Sequence, residues 1–185
     1  AFIGEMTNGY GFAGEQLSSL FAQVERKQTI LDAISRPAEK VKPWKDYRPI
    51  FITDARIARG VVFWQQNAEA LARAEKEYGV PPAVIAAFWA LESDFGAVQG
   101  KLSTLRSLVS LAYDCRRAQM FHDETIAALK IVDRGDLSPA EMIGSWAGEL
   151  GQTQFLPRHY FDYAVDYDGD GHRNLLSSAP DVIGS

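Results

Sequence analysis

Residues 81–96 read PPAVIAAFWALESDFG, an apolar run with two prolines at its front and one glutamate near its end. A proline at the first helical position costs nothing, because its missing N–H has no intrahelical partner. Ala83 to Phe95 therefore predicts a helix, with Gly96 as its stop. Side chains three, four and seven apart share a helix face, which puts Glu92 on the stripe of Ile85, Phe88, Trp89 and Phe95. An acid on an apolar stripe raises its pKa and holds its proton, which is what a general acid needs. The plainer reading is a half-exposed glutamate or the partner of a distant arginine. Asp94 points away from Glu92 on such a helix and cannot be its close partner.

The surrounding chain has 185 residues, enough for a real core as one domain or two small ones. Its 46% apolar and 23% charged residues are ordinary globular values. A formal net charge of −5 argues against a nucleic-acid surface. No apolar run is long enough to span a bilayer. The single cysteine, Cys115, allows no internal disulfide and sits in an apolar helical pattern, so it is expected in the core.

Upstream of this stretch, Glu15 to Lys27 predicts a helix with Leu17, Leu20, Phe21 and Val24 inward, and Ile30, Leu31 and Ile34 predict a short one. RPAEKVKPWKDYRP, residues 36–49, carries three prolines and five basic residues. It predicts an extended strap anchored by Trp44 and Tyr47, against the alternative of a plain linker. Thr53 or Asp54 caps a long helix to about Tyr78, with Ile57, Val61, Trp64, Ala68, Leu71 and Tyr78 as its buried stripe. Downstream, helices are predicted over Ser103 to Cys115 and Arg117 to Asp133. Ser138-Pro139-Ala140-Glu141 is a capping box that predicts another. Strand-like alternation is scarce, so the fold class is mainly α.

Two further stretches carry chemistry. GSWAGELGQTQFLP, residues 144–157, mixes glycines with Ser145, Gln152, Thr153 and Gln154. Glycine lets backbone approach a ligand, and amides and hydroxyls are usual partners of sugar hydroxyls; a simple turn between helices is the alternative. DYDGDGHRN, residues 166–174, matches the first half of an EF-hand loop. Asp166, Asp168 and Asp170 would give side-chain oxygens and His172 its backbone carbonyl. Position twelve is Ser177 where a bidentate glutamate belongs, and Asp181 is the next carboxylate. A solvated acidic turn is the alternative, but three crowded aspartates repel one another without a cation.

The order of these features closely resembles the B-type membrane-bound lytic murein transglycosylases, a lysozyme-like, peptidoglycan-cleaving family. The resemblance rests on ALESDFG (90–96), SWAGELGQTQFLPRHYFDYAVDYDGDGHRNL (145–175) and APDVIGS (179–185), with KPWKDYRPIFIT (42–53) and GVVFW (60–64) upstream. It implies an N-terminal helical part over 1–78 and a lysozyme-like catalytic core over 79–185 that carries the EF-hand-like calcium loop. It also implies that the chain is truncated at its C-terminus, since family members continue past Ser185.

By the same resemblance Glu92 matches the catalytic acid/base, Ser145 and Gln154 match residues that hold substrate, and Tyr47 matches a cleft aromatic. Asp166, Asp168, Asp170, the His172 carbonyl and Asp181 match a structural Ca2+ site, with no organic cofactor. The implied reaction is non-hydrolytic cleavage of the MurNAc–GlcNAc bond of peptidoglycan glycan strands, leaving 1,6-anhydromuramic ends. The implied setting is periplasmic, with a removed signal or lipid anchor, a monomeric chain and wall-synthesis enzymes as further partners. No second carboxylate is evident: Asp94 points elsewhere and Glu149 sits in a Gly-flanked turn. The alternatives are a lysozyme-type hydrolase, a non-catalytic peptidoglycan-binding module and a calcium-dependent structural adaptor.

Overall fold

The structure is a computed structural model that describes residues 2–22, 24, 27–35, 43–113 and 117–185, with backbone alone over 33–35. Residues 36–42 of the expected strap, the side chain of Ile34 and Cys115 lie outside the described residues. The helices are α1 Phe2–Tyr10, α2 Gly14–Phe21, α3 Gln28–Ser35, α4 Trp44–Phe51, α5 Asp54–Gln66, α6 Ala68–Tyr78 and α7 Pro82–Ser93. After them come β1 Leu102–Ser103, α8 Thr104–Ala112, α9 Ala118–Arg134, β2 Ile143–Gly144, α10 Pro157–Tyr163 and α11 Ala179–Gly184. The mainly α class holds, and no described helix is long and apolar enough to cross a membrane.

The centre is built from α8, α9 and α10. Leu105, Leu108 and Leu111 of α8 repeat every three residues, so they share one buried face. They pack with Phe121, Ala128 and Ile131 of α9, and Tyr160 of α10 is fully buried beside them. Burial pushes the Tyr160 phenol up to about 12. Its hydroxyl donates to the Arg173 carbonyl at 2.7 Å and accepts from the Leu175 amide at 3.3 Å, which ties α10 to the aspartate-rich loop.

Three expectations need correction. The segment Trp44–Phe51 is helical: Pro43 precedes the first turn, where its missing N–H costs nothing, while Pro49 lies inside the helix and removes one intrahelical donor. Trp44 is exposed there and not an anchor, while the Tyr47 ring lies 4.6 Å from that of Phe51. The long helix to Tyr78 is two helices, α5 and α6, broken at Asn67, whose side-chain amide donates to the Phe63 carbonyl at 2.9 Å. The break turns Phe63, Leu71 and Ala74 inward, so Ile57, Val61 and Trp64 instead line an open apolar groove between α5 and α7. The capping box forms, with the Ser138 amide donating to Glu141 Oε2 at 2.8 Å, but it closes a turn and not a helix. The chain must reach back at once to pair Ile143 and Gly144 with Ser103 and Leu102 of β1.

The end of α7 also differs from expectation. The helix stops at Ser93, and Asp94, Phe95 and Gly96 follow with φ of 51°, 58° and 83°. Left-handed backbone costs about 1–3 kcal/mol for a non-glycine residue and needs outside support. Arg56 and Arg59 of α5 hold the Asp94 carboxylate at 3.2 and 2.7 Å, and Phe95 stacks on Phe63 at 4.9 Å between ring centroids. The Arg59 hydrogen bond, then the charges of Arg59 and Arg56, keep the Asp94 pKa low against the opposing pull of burial.

Gly96 is required by contact as well as by φ. A Cβ there would run into the amide oxygen of Gln152. That oxygen accepts from the Trp89 indole at 2.9 Å, so the displaced amide would leave a buried donor unpaired. Gly96→Ala is expected to destabilise by about 1–3 kcal/mol, read as a lower denaturant midpoint. An unchanged midpoint would show that Gln152 has another seat.

Candidate active site

Glu92 stands in the last turn of α7, on the wall of a groove of about 820 Å³. The groove runs between α7, the 149–155 loop, α10 and α11. Val84, Ile85, Phe88 and Trp89 of α7 line one side, and Glu149, Thr153, Gln154 and Phe155 line the other. Of the expected apolar stripe only Trp89 is core; Phe88 is 64% exposed and forms groove wall. Periodicity cannot tell a groove-lining aromatic from a buried one. Glu92 stays accessible along the groove, yet burial first, and the Glu149 charge second, push its pKa above the ordinary glutamate value.

The loop opposite owes its shape to hydrogen bonds and to glycine. Ser145 N–H donates to the Glu149 carbonyl at 2.8 Å, and Leu150 and Phe155 exchange backbone bonds at 2.9 and 3.2 Å. A Cβ on Gly144 would fall on the Glu149 carbonyl, so only glycine lets the chain fold back this tightly. Gln154 has a φ of 51° and its side-chain amide donates to the Gly151 carbonyl at 2.8 Å. These two nested turns aim Glu149 and Gln154 at the groove.

Among the expected residues, Glu92 and Gln154 meet in the groove. Ser145 reaches it indirectly, its hydroxyl donating to Glu149 Oε2 at 2.9 Å. Tyr47 lies on α4 and is not among the groove-lining residues. No second carboxylate is evident from the sequence, yet Glu149 lines the same groove as Glu92. A Gly-flanked glutamate looks solvent-bound in sequence, and only the folding back of 144–155 turns it inward. Tyr163 of α10 also joins the wall from a position the sequence did not single out, and Tyr78 of α6, expected in the buried stripe, is exposed and lines the groove instead.

The aspartate-rich loop forms a separate centre. Carboxylate oxygens of Asp166, Asp168 and Asp181 lie within 4.8 Å of one another, and Asp181 is fully buried. Asp181 accepts from the amides of Tyr167 and Asn174 at 2.7 and 2.8 Å. Desolvation acts on Asp166 first, but the amides of Gly171, Gly169 and Asp170 outweigh it and hold its pKa low. Asp170 is not one of this trio, and its Oδ1 accepts from the His172 amide at 2.8 Å. Arg73 of α6 clamps the loop, with its guanidinium 3.6 Å from the Tyr167 ring centre and a 2.8 Å bond to the Tyr167 carbonyl.

Comparison with known proteins defines the class of a helical core that presents carboxyls on an open groove. The whole chain, residues 1–185, matches the family described as the Transglycosylase SLT domain, and it belongs to that family. It is 39% identical over 194 residues to the membrane-bound lytic murein transglycosylase B of Escherichia coli (strain K12), covering all of this chain and 54% of that protein. The soluble lytic transglycosylase SltB1 from Pseudomonas aeruginosa superposes with a TM-score of 0.93 at 52% identity, over 100% of this chain and 62% of that one. The Escherichia coli lytic transglycosylase Slt35 in complex with calcium gives 0.91 at 38% identity, over 99% and 58%. The chain thus spans between about half and three-fifths of the length of these relatives.

The raised pKa of Glu92 has a consequence for stability. A carboxyl whose folded pKa is raised loses stability as pH climbs from the ordinary glutamate value through the folded one, because folding disfavours the ion. Glu92→Gln removes that cost and little else. The variant should melt at a higher temperature than the parent at about pH 8 and level with it at about pH 3, as followed by circular dichroism. Equal melting at both would show that Glu92 ionises as freely as an exposed glutamate.

Proposed function

We propose that this chain is the catalytic part of a lytic transglycosylase acting on peptidoglycan glycan strands. The reading is carried by the Glu92 carboxyl, which keeps its proton to higher pH while remaining open to a long groove. A glycan-strand substrate puts the site of action in the periplasm. In the first step Glu92 gives its proton to the oxygen linking N-acetylmuramic acid to N-acetylglucosamine as the C1–O bond breaks. Positive charge develops at C1 and the ring oxygen. The Glu92 carboxylate then takes the proton of the muramic C6 hydroxyl, whose oxygen bonds to C1. Glu92 ends protonated, as it began, no water is consumed, and the product is a 1,6-anhydro sugar. The tethered hydroxyl has a large effective concentration, which does the work of a separate nucleophile.

Gln154 is proposed to hydrogen-bond the sugar from the opposite wall, and Ser145 to act through Glu149. Tyr47, with its ring between those of Trp44 and Phe51, is proposed as an aromatic contact for the glycan outside the groove lining. One observation favours a second reading. Glu149 is a second carboxylate on the groove, which is what a lysozyme-type hydrolase uses to activate water or attack C1.

The aspartate trio fits calcium. Its donors are hard oxygens, and three carboxylates this close, one of them buried, repel unless a cation lies among them. Asp166, Asp168 and Asp181 would hold the ion, with Asp170 and the His172 carbonyl as the proposed remaining ligands. The calcium complex of Slt35 supports the same ion here. Bound calcium would cross-link the loop to α11 and takes no part in cleavage. A ligand that binds only the folded state at a hundred times its Kd adds about 2.7 kcal/mol. Calcium at that level should raise the melting temperature, chelator should reverse it, and Asp168→Ala should abolish the response. A melting curve indifferent to calcium would remove the site.

The reaction is tested by mass analysis of muropeptides released from purified peptidoglycan in 18O-water. The expected products carry anhydromuramic ends, one water lighter than reducing ends and free of label. Labelled reducing ends would establish the hydrolase instead. Glu92→Gln should lower turnover by at least about 100-fold, the usual worth of a positioned general acid. A tenth of the parent rate in that variant would refute the role of Glu92.

A further inference from the structure

Glu149 is the one acidic side chain, among the described residues, that shares the groove lining with Glu92. Its position is not accidental. Its carbonyl is fixed by the Ser145 amide at 2.8 Å and its Oε2 by the Ser145 hydroxyl at 2.9 Å. The same hydroxyl accepts from the Ala147 amide at 3.1 Å, so its proton is directed at the carboxylate. Gly144 allows this turn and Gly148 follows it over Leu108, both at points where a Cβ would strike a neighbour. Two carboxyls are thus held on one groove with nothing to neutralise them: no Lys, Arg or His lines it, among the described residues.

The other titratable side chains on the groove lining, among the described residues, are the phenols of Tyr78 from α6 and Tyr163 from α10, and α11 contributes Val182, Ile183 and Gly184. Asp94, two residues along, is turned to Arg56 and Arg59.

We propose that Glu149 is a positioning residue of this active site: the Ser145 hydroxyl holds its carboxylate as a fixed negative charge facing Glu92 across the groove. This rests on Glu92 being the acid/base. A like charge opposes ionisation, so Glu149 extends to higher pH the range in which Glu92 can act as an acid. The interaction is the second contribution, after burial, to the raised Glu92 pKa. Because Ser145 does not touch the groove itself, its part is to keep Glu149 aimed.

The test needs no turnover and therefore stands apart from the test of the reaction. Protein carrying 13C at the glutamate carboxyls is titrated by NMR, with the Glu92 signal assigned by its loss in Glu92→Gln. In Glu149→Gln the Glu92 midpoint should move to lower pH, and in Glu149→Asp, which keeps the charge, it should lie closer to the parent. In Ser145→Ala, where both carboxyls remain, it should also fall, because Glu149 is no longer held. Where cleavage is measured, the alkaline edge of kcat/KM should move down with it. A Glu92 midpoint that stays at the parent value in folded Glu149→Gln overturns the proposal. Should that variant fail to fold, an unmoved midpoint in Ser145→Ala overturns it equally.

Discussion

The left-handed turn after α7, and the two arginines that hold it, are the constraint from which the rest of the site follows. Three successive residues with positive φ are costly, and two of them are not glycine. Arg56 and Arg59 accept that cost by pairing with Asp94, and Phe95 adds its stacking on Phe63. The result is a helix that stops one residue after Glu92. Its acid is then carried in the last turn, at the rim of a groove, and not in mid-helix against a neighbour. The same turn brings Gly96 under Gln152, which fastens Trp89 and, through a 3.0 Å bond to the Leu176 carbonyl, the loop that leads to α11.

The groove owes its chemistry to a balance between burial and access. Apolar walls of Val84, Ile85, Phe88 and Phe155 flank the partly desolvated Glu92 carboxyl, while the groove itself stays open. Full burial would raise the acid further but shut out the substrate. A second carboxylate on the opposite wall shifts the balance in the same direction as burial without closing the groove. The groove between α5 and α7 is of a similar apolar kind, yet among the described residues it holds no acid and its only charged lining residue is Arg56.

The aspartate-rich loop stands away from this chemistry and serves the frame. Asp181 belongs to α11, whose Val182 and Ile183 reach into the groove lining, so whatever steadies the loop steadies that wall. Arg73 and Glu77 of α6 hold Tyr167 from the other side. Tyr167 is therefore one of the links between α6 and the C-terminal part of the chain, and α6 also supplies Tyr78 to the groove.

Much of this was determined by the sequence alone. Helical periodicity over Leu105, Leu108, Val109 and Ala112 predicts a core helix, and Leu105 and Leu108 are buried in it together with Leu111. ALESDFG and its companion motifs mark the family, and Glu92 was legible as an acid on an apolar stripe. The DYDGDG spacing predicts a loop of converging carboxylates, and the structure brings Asp166 and Asp168 together with Asp181 of α11, not with Asp170. Tertiary structure alone decided the rest. Phe88 and Trp89 are adjacent and equally apolar, yet one is groove wall and the other core. Ile57, Val61 and Trp64 have core spacing and line an open groove, since the break at Asn67 changes which face α5 buries. Ser138 to Glu141 forms its capping box and still makes no helix, because pairing with β1 outweighs local preference. Glu149 became part of the site only when 144–155 folded back on itself. Local pattern fixes which residues share a face; what that face meets is set by contacts distant in the chain, which spacing does not encode.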